Sequence, residues 1–268
     1  MSVMQVGSLA VIPLPDGHGR EVAREVLLRP GFEPDPWACH LHMLDGEGNL
    51  HLPVGGFLLR TGDRVVLIDA GVGTIDNGKY RGGQLLESLV EQGVTPEDVT
   101  DVVFTHLHFD HVGWATQQGA VVFANATYRV HQKDWEHFVD GPEVVPGAAR
   151  KLGPLRERLE TFDTDTTIAP GLDARPMTGH TPGSTVYVVS SEGETGLLIG
   201  DLAHATVELT EPGWQFAFDH DRDEAMDSRA QLVAEFADSG AVIGGGHFPD
   251  FRPGRLETIA RELQWTTI

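Results

Sequence analysis

His106, His108, Asp110 and His111 fall inside the segment Thr105-His106-Leu107-His108-Phe109-Asp110-His111, an H-x-H-x-D-H string of three imidazoles and a carboxylate. Each such group withdrawn from water needs a compensating partner. A metal centre satisfies all four at once. The apolar run Val102-Val103-Phe104 reads as a buried strand, so His106 and His108 leave it on one side of an extended segment, where side chains two apart point the same way. These two can grip one ion. Asp110 and His111 come after the chain has begun to turn toward Val112-Gly113-Trp114, and can hold a second. Mixed imidazole and carboxylate donors suit borderline cations such as zinc.

Three more donors lie downstream. His180 stands in the turn Gly179-His180-Thr181-Pro182-Gly183-Ser184 after the strand-like Leu172 to Met177. Asp201 follows Leu197-Leu198-Ile199-Gly200, and His247 follows Val242-Ile243-Gly244-Gly245-Gly246. Alone, a His after a strand is ordinarily structural and an Asp at a strand end is a turn residue or cap. In this order behind the first string, they form a set.

A string of this kind followed by a distant His, a distant Asp and a final His resembles the pattern of the metallo-β-lactamase superfamily, over Gly56 to His247. The resemblance implies that His106, His108 and His180 bind one metal, that Asp110, His111 and His247 bind the other, and that Asp201 bridges the pair. It implies two divalent ions, zinc first, with iron, manganese or cobalt as alternatives. It also implies an α/β fold, an αββα sandwich of two mixed β-sheets flanked by helices with the metals at one edge. The family's early strand-end Asp is matched in Leu67-Ile68-Asp69-Ala70-Gly71, where Ala70 departs from the Thr that often follows. Asp69 is therefore expected to orient ligands or loops through hydrogen bonds.

Elements that could carry these residues can be read along the chain. Phe57 to Arg60 and Val65 to Ile68 flank the turn Thr61-Gly62-Asp63-Arg64 as a hairpin, and Val186 to Val189 and Leu197 to Ile199 form another. Both end in an acid, Asp69 or Asp201, a weak internal echo. Helices are expected over Gln84 to Gln92, over Asp223 to Asp238 with Met226, Ala230, Val233 and Phe236 on its inner face, and over Arg255 to Trp265. Pro13 to Gly19, Pro30 to Pro36 and Asp140 to Gly147 read as loops, which over a rigid scaffold decide substrate choice.

At 268 residues and 40% apolar content the chain can bury a substantial core, and a single domain over 1–268 is expected. No apolar stretch is long enough to span a bilayer, and Met1-Ser2-Val3-Met4-Gln5 lacks the basic start and apolar core of a secretion signal, so a cytoplasmic location is expected. The single cysteine, Cys39, excludes an intrachain disulfide framework and is expected to be a small buried residue. With 19 basic against 40 acidic residues, the formal charge of −21 repels phosphate backbones. No Lys/Arg cluster offsets it, which argues against a nucleic-acid partner. The partner expected is a small-molecule substrate, with a homodimer admitted.

Two close ions imply a hydrolase that uses a metal-bridging hydroxide, because metals roughly 3.5–4 Å apart bring a shared water toward neutrality. Asp110 is then placed to relay a proton to the leaving group besides its ligand role. In the true β-lactamases of the family the position of Asp201 commonly lacks the bridging Asp, and glyoxalase II carries a helical region after its last ligand where only a short tail follows His247. What remains resembles the branch of N-acyl-homoserine lactonases and of organophosphate hydrolases such as methyl parathion hydrolase. Trp214-Gln215-Phe216-Ala217-Phe218-Asp219 with Asp221, Ala225 and Arg229 adds to that resemblance. The lactonases place a carbonyl-polarising Tyr three residues after the bridging Asp; here His204 stands there, able to donate the same hydrogen bond or to serve only as a neighbour of the ligands. Lactone or other carboxylic ester hydrolysis is the expected reaction, ahead of phosphotriester or thioester hydrolysis and of iron-dependent redox chemistry. Trp114, Phe109 and Trp214 are candidates for an apolar pocket wall or for ordinary packing.

Overall fold

The two hairpins anticipated from the apolar runs both form, each inside a larger sheet. The computed structural model describes residues 2–141 and 146–268. Strands β1 (Met4–Val6), β2 (Leu9–Val22), β3 (Asn49–Thr61), β4 (Arg64–Ile68), β5 (Asp101–Val103), β6 (Thr127–His131) and β7 (Leu159–Phe162) lie in that order across one sheet, and a short strand Tyr80–Arg81 adds to β2. The second sheet runs β8 (Thr166–Ala169), β9 (Leu172–Pro176), β10 (Thr185–Ser191), β11 (Glu194–Leu198), β12 (Val242–Gly244), β13 (Gly254–Ile259) and β14 (Glu262–Thr267). Both sheets are mixed: β4 is parallel to β5, and β11 to β12, while each is antiparallel to the strand before it.

Strand alternation explains the layering, because successive side chains face opposite ways. Helices α1 (Leu85–Glu91), α2 (Gln132–Trp135) and α3 (Arg222–Phe236) cover the outer faces. Leu58 and Leu67 turn outward to join Leu85 and Leu89 of α1. Their neighbours Phe57, Leu59, Val66 and Ile68 turn inward against Tyr187, Val189 and Leu198 of the other sheet. Val242 faces that central layer, whereas Ile243 and Leu197 face outward to Leu232 of α3. The result is the αββα sandwich. Among the described residues no helix is long and apolar enough to cross a membrane.

Several local expectations are corrected. Arg255 to Trp265 is not a helix: β13 and β14 form a hairpin in which Leu256 pairs with Trp265, around a turn whose Ala260 and Arg261 have φ of 54° and 74°. Burial of Leu256 against the second sheet, with Trp265 packed on Phe248, overrides the helix-forming composition. Pro13 to Gly19 is not a loop but the middle of β2, with the register slipping between Pro15 and Gly17 against β3. Helix α3 is rotated from the expected stripe, burying Ala225, Arg229 and Leu232 and leaving Ala230 exposed, because the Arg229 guanidinium finds acceptors inside. Cys39 is exposed, since its one-turn 3-10 helix Pro36–Cys39 buries only Trp37. Of the loop expected over Asp140 to Gly147, residues 142–145 lie outside the described residues, Asp140 closes a π-helical turn Glu136–Asp140, and Pro146–Leu152 is helical.

Candidate metal centre

All seven donors proposed from the sequence meet at one edge of the sandwich, on the loops that leave the strand ends. Donor atoms of His106, His108, His180 and Asp201 lie within 4.8 Å of one another, and so do those of Asp110, His111 and His247. His180 Nε2 and His108 Nδ1 are 2.9 Å apart. The Asp201 carboxylate touches both sets: Oδ2 lies 3.6 Å from His106 Nε2 and 3.5 Å from His180 Nε2, while Oδ1 lies 3.2 Å from both His111 Nε2 and His247 Nε2. Donors held about 2.0–2.1 Å from a tetrahedral zinc stand about 3.3 Å apart, so these spacings fit ligands around shared ions.

The outer nitrogens are committed. His111 Nδ1 donates to Asp69 Oδ2 at 2.8 Å, His180 Nδ1 to Asp219 Oδ1 at 2.9 Å, and His247 Nδ1 to the Pro53 carbonyl at 2.8 Å. Thr105 Oγ1 donates to Asp69 Oδ2 and therefore accepts from His106 Nδ1 at 3.1 Å. These partners set the tautomer, leaving the Nε2 lone pairs aimed at the centre. A lone pair cannot donate to the Asp201 carboxylate it faces. Accordingly, His106 Nε2, His111 Nε2 and Asp201 Oδ1 are buried without a hydrogen-bond partner. Facing acceptors of this kind call for cations, and the donor set fits two divalent ions.

The electrostatics carry the same message. Burial holds His106 well below the usual imidazole value, and His108 and His180 down at about 3, so all three are neutral near pH 7. Burial acts in the same sense on His111, but Asp201 and Asp69 outweigh it and raise the imidazole well above its usual value, so that without a cation between Nε2 and Asp201 a proton takes that place. For Asp201 the burial cost is outweighed by the facing imidazoles, His247 and His111 first, which keep the carboxyl ionised.

Asp69 takes the orienting position expected of it. Its φ of 59° turns the carboxylate back to accept from the Thr105 amide at 2.8 Å as well as from the Thr105 hydroxyl and His111. His204 is buried, with Nε2 3.2 Å from Asp201 Oδ2 and its ring stacked on Phe216 at 3.4 Å. Among the buried acids that sequence reasoning missed, two brace the donor loops. Asp16 on β2 accepts from the amides of Val72, Gly73, Gly83 and Leu85 and from the Trp114 indole, fixing the loop after Asp69. Asp134 on α2 accepts from the amides of Leu107 and Gly183 and the Thr181 hydroxyl, pinning the His106–His108 segment to the His180 turn. Asp16 falls inside Pro13 to Gly19, expected to be a loop, and nothing local marks Asp134.

Of the three aromatic candidates, Trp114 and Trp214 are packing residues: Trp114 bonds to Asp16, and Trp214 packs edge-on against Trp37 at 5.0 Å. Phe109 is 51% exposed beside the donors, edge-to-face with Tyr80 at 4.9 Å. A cavity of about 1040 Å³ opens beside His204 and His247, bounded by Met43, Val207 and Trp265 among others.

Comparison with known proteins agrees with this geometry. Residues 54–247 match the metallo-beta-lactamase superfamily. The N-acyl homoserine lactonase AiiA of Bacillus thuringiensis subsp. kurstaki is 26% identical over 215 residues, 74% of this chain and 82% of that protein. Metallo-beta-lactamase domain-containing protein 1 of Xenopus laevis is 31% identical over 226 residues, 81% of each chain. Among solved structures, AidC, a dizinc quorum-quenching lactonase in complex with a hexanoyl-homoserine product, superposes with a TM-score of 0.83 at 25% identity, covering 98% of this chain and 96% of that one.

Proposed function

The chain belongs to the metallo-β-lactamase superfamily, and from that membership we propose that it is a lactonase whose seven clustered donors hold two divalent ions, zinc by preference. His106, His108 and His180 would hold one ion and Asp110, His111 and His247 the other, with the Asp201 carboxylate between the two sets. The observation that carries this reading is the Asp201 carboxylate, which lies within 3.2–3.6 Å of imidazole nitrogens from both sets. Two divalent ions bound there would make hydroxide available near neutral pH and would supply a Lewis acid for the ester carbonyl.

The remaining work falls to the chain's own groups. His204 points Nε2 at the centre and, held flat on Phe216, is placed to donate a hydrogen bond to the carbonyl oxygen of a bound ester. Asp110, buried beside His247 with Oδ2 3.7 Å from His247 Nε2, is assigned the return of a proton to the leaving alcohol oxygen besides its ligand role. The cavity beside His204 and His247 has the size of a small-molecule site. A formal charge of −21 disfavours polyanionic substrates.

The test is a panel of lactones, thioesters, aryl esters and phosphotriesters with zinc-loaded protein, before and after chelation. Lactones should be turned over fastest, with activity lost on chelation and restored by zinc. Faster phosphotriester turnover, or oxygen consumption with iron and no hydrolysis, would overturn the lactonase reading.

A further inference from the structure

Arg229 lies on α3, outside the donor cluster, and is 4% exposed. A guanidinium this deep must spend its donors on fixed acceptors. Its Nε donates to the Leu202 carbonyl and its Nη1 to the Trp214 carbonyl, both at 2.8 Å. Two carboxylates face it as well: Glu208 Oε1 at 3.2 Å from Nη1, and Asp219 Oδ2 at 3.9 Å from Nη2.

Each of those carboxylates reaches the centre along a different path. Glu208 Oε2 accepts from the backbone amides of His204 at 2.7 Å and Ala205 at 2.9 Å, so it fixes the stretch of chain that presents His204. Asp219 Oδ1 accepts from His180 Nδ1 at 2.9 Å, so it fixes a metal-facing imidazole. The guanidinium is planar and presents its donors in a fixed fork. An ammonium, with its three donors on one nitrogen, cannot spread to the same set of acceptors.

We infer that Arg229 is a positioning residue that holds two separate parts of the centre in register, the His180 imidazole through Asp219 and His204 through Glu208. The inference rests on the proposed roles of His180 and His204. It adds that their placement has a common anchor some distance from the reacting atoms.

The test uses the full chain and two readouts. Zinc affinity is measured by competition with a chromophoric chelator, which needs no substrate, and kcat is measured at saturating zinc. Asp219→Asn should weaken zinc binding by about 10- to 100-fold, as expected for loss of a ligand's outer partner, with kcat at full occupancy less affected. Glu208→Gln should leave zinc affinity near that of the parent and lower kcat by up to about 100-fold, the cost of misplacing a reacting group by about 1 Å. Arg229→Met should do both, and adding Glu208→Gln to it should lower kcat little further, because the two changes act through one contact. Arg229→Lys, which keeps the charge but loses the fork, should fail to restore either readout; it also serves if the Met variant does not fold.

A merely structural Arg229 would lower the melting temperature while zinc affinity and kcat of the folded, loaded protein stayed at parental values. That result, or fully additive losses in the double variant, overturns the inference. If no ester of any kind is turned over, the lactonase reading fails, while the zinc-affinity arm still decides the link between Arg229 and His180.

Discussion

The two parallel strand pairs in the middle of the sheets, β4 with β5 and β11 with β12, are built alike and used differently. In the first, Ile68 pairs with Val103; in the second, Leu198 pairs with Gly244. One residue on, Asp69 donates its amide to the Val103 carbonyl and Ile199 donates to Gly244 in the same way. Three residues past the paired position on the partner strands stand His106 and His247, so each half contributes one histidine at an equivalent point. The acids are not equivalent. Asp69 comes directly after the strand, and its carboxylate is drawn back onto Thr105 and His111. Asp201 comes two residues later in register, on the turn Gly200–Leu202, and extends into the middle of the cluster. A displacement of two residues thus separates an acid that orients ligands from one that joins both donor sets.

The largest expected effect tests that difference. Asp201→Ala should reduce bound metal below two ions per chain and cut kcat/KM by well over the about 100-fold expected for loss of an outer hydrogen-bond partner. Asp69→Asn should stay within that about 10- to 100-fold range, acting on metal affinity through His111. Metal content by elemental analysis and kinetics on the same samples decide it, and equal damage from both variants would erase the distinction between the two acids.

A smaller effect concerns how the Asp201 turn is accommodated. Gly200 has φ of 50°, and a Cβ there would stand 2.7 Å from the Thr105 side chain. Gly200→Ala should therefore cost about 1–3 kcal/mol in stability, the scale of a left-handed non-glycine residue held in place. Chemical denaturation measures it. An unchanged midpoint would mean that the close approach of the two halves is not needed to place Asp201.

A pH-dependent effect lies at the seam between the halves. Burial raises the Asp134 carboxyl to about 7 from an unfolded value of 3.8, even though the Thr181 hydroxyl and the Gly183 and Leu107 amides favour its charge. Between those values the folded chain holds a proton that the unfolded chain has lost. Stability from this group is therefore present at low pH and falls as pH rises from about 4 to about 7. The melting temperature of Asp134→Asn, which has no proton to lose, should gain on that of the parent as pH rises across that window. A difference that stays constant would contradict the shift.

The donor set, its order and the two hairpins were legible in the sequence because each depends on neighbours along the chain: an apolar run makes a strand, and a turn at its end exposes the donor. That Asp201 would reach both donor groups while Asp69 stands behind them was legible only through resemblance. Other features were decided by tertiary structure alone. Leu256 and Trp265 pack as strand residues although their segment has helix-forming composition, and Pro13 to Gly19 is held extended between β3 and the strand Tyr80–Arg81. Asp16 meets the Trp114 indole, 98 positions away, and Asp134 meets Thr181, 47 positions away. Arg229 was visible as a residue but not as an anchor, because its acceptors come from Leu202, Glu208, Trp214 and Asp219. A buried polar group must find its partner wherever the fold brings one, and linear spacing carries no trace of such a pairing until the sheets have closed.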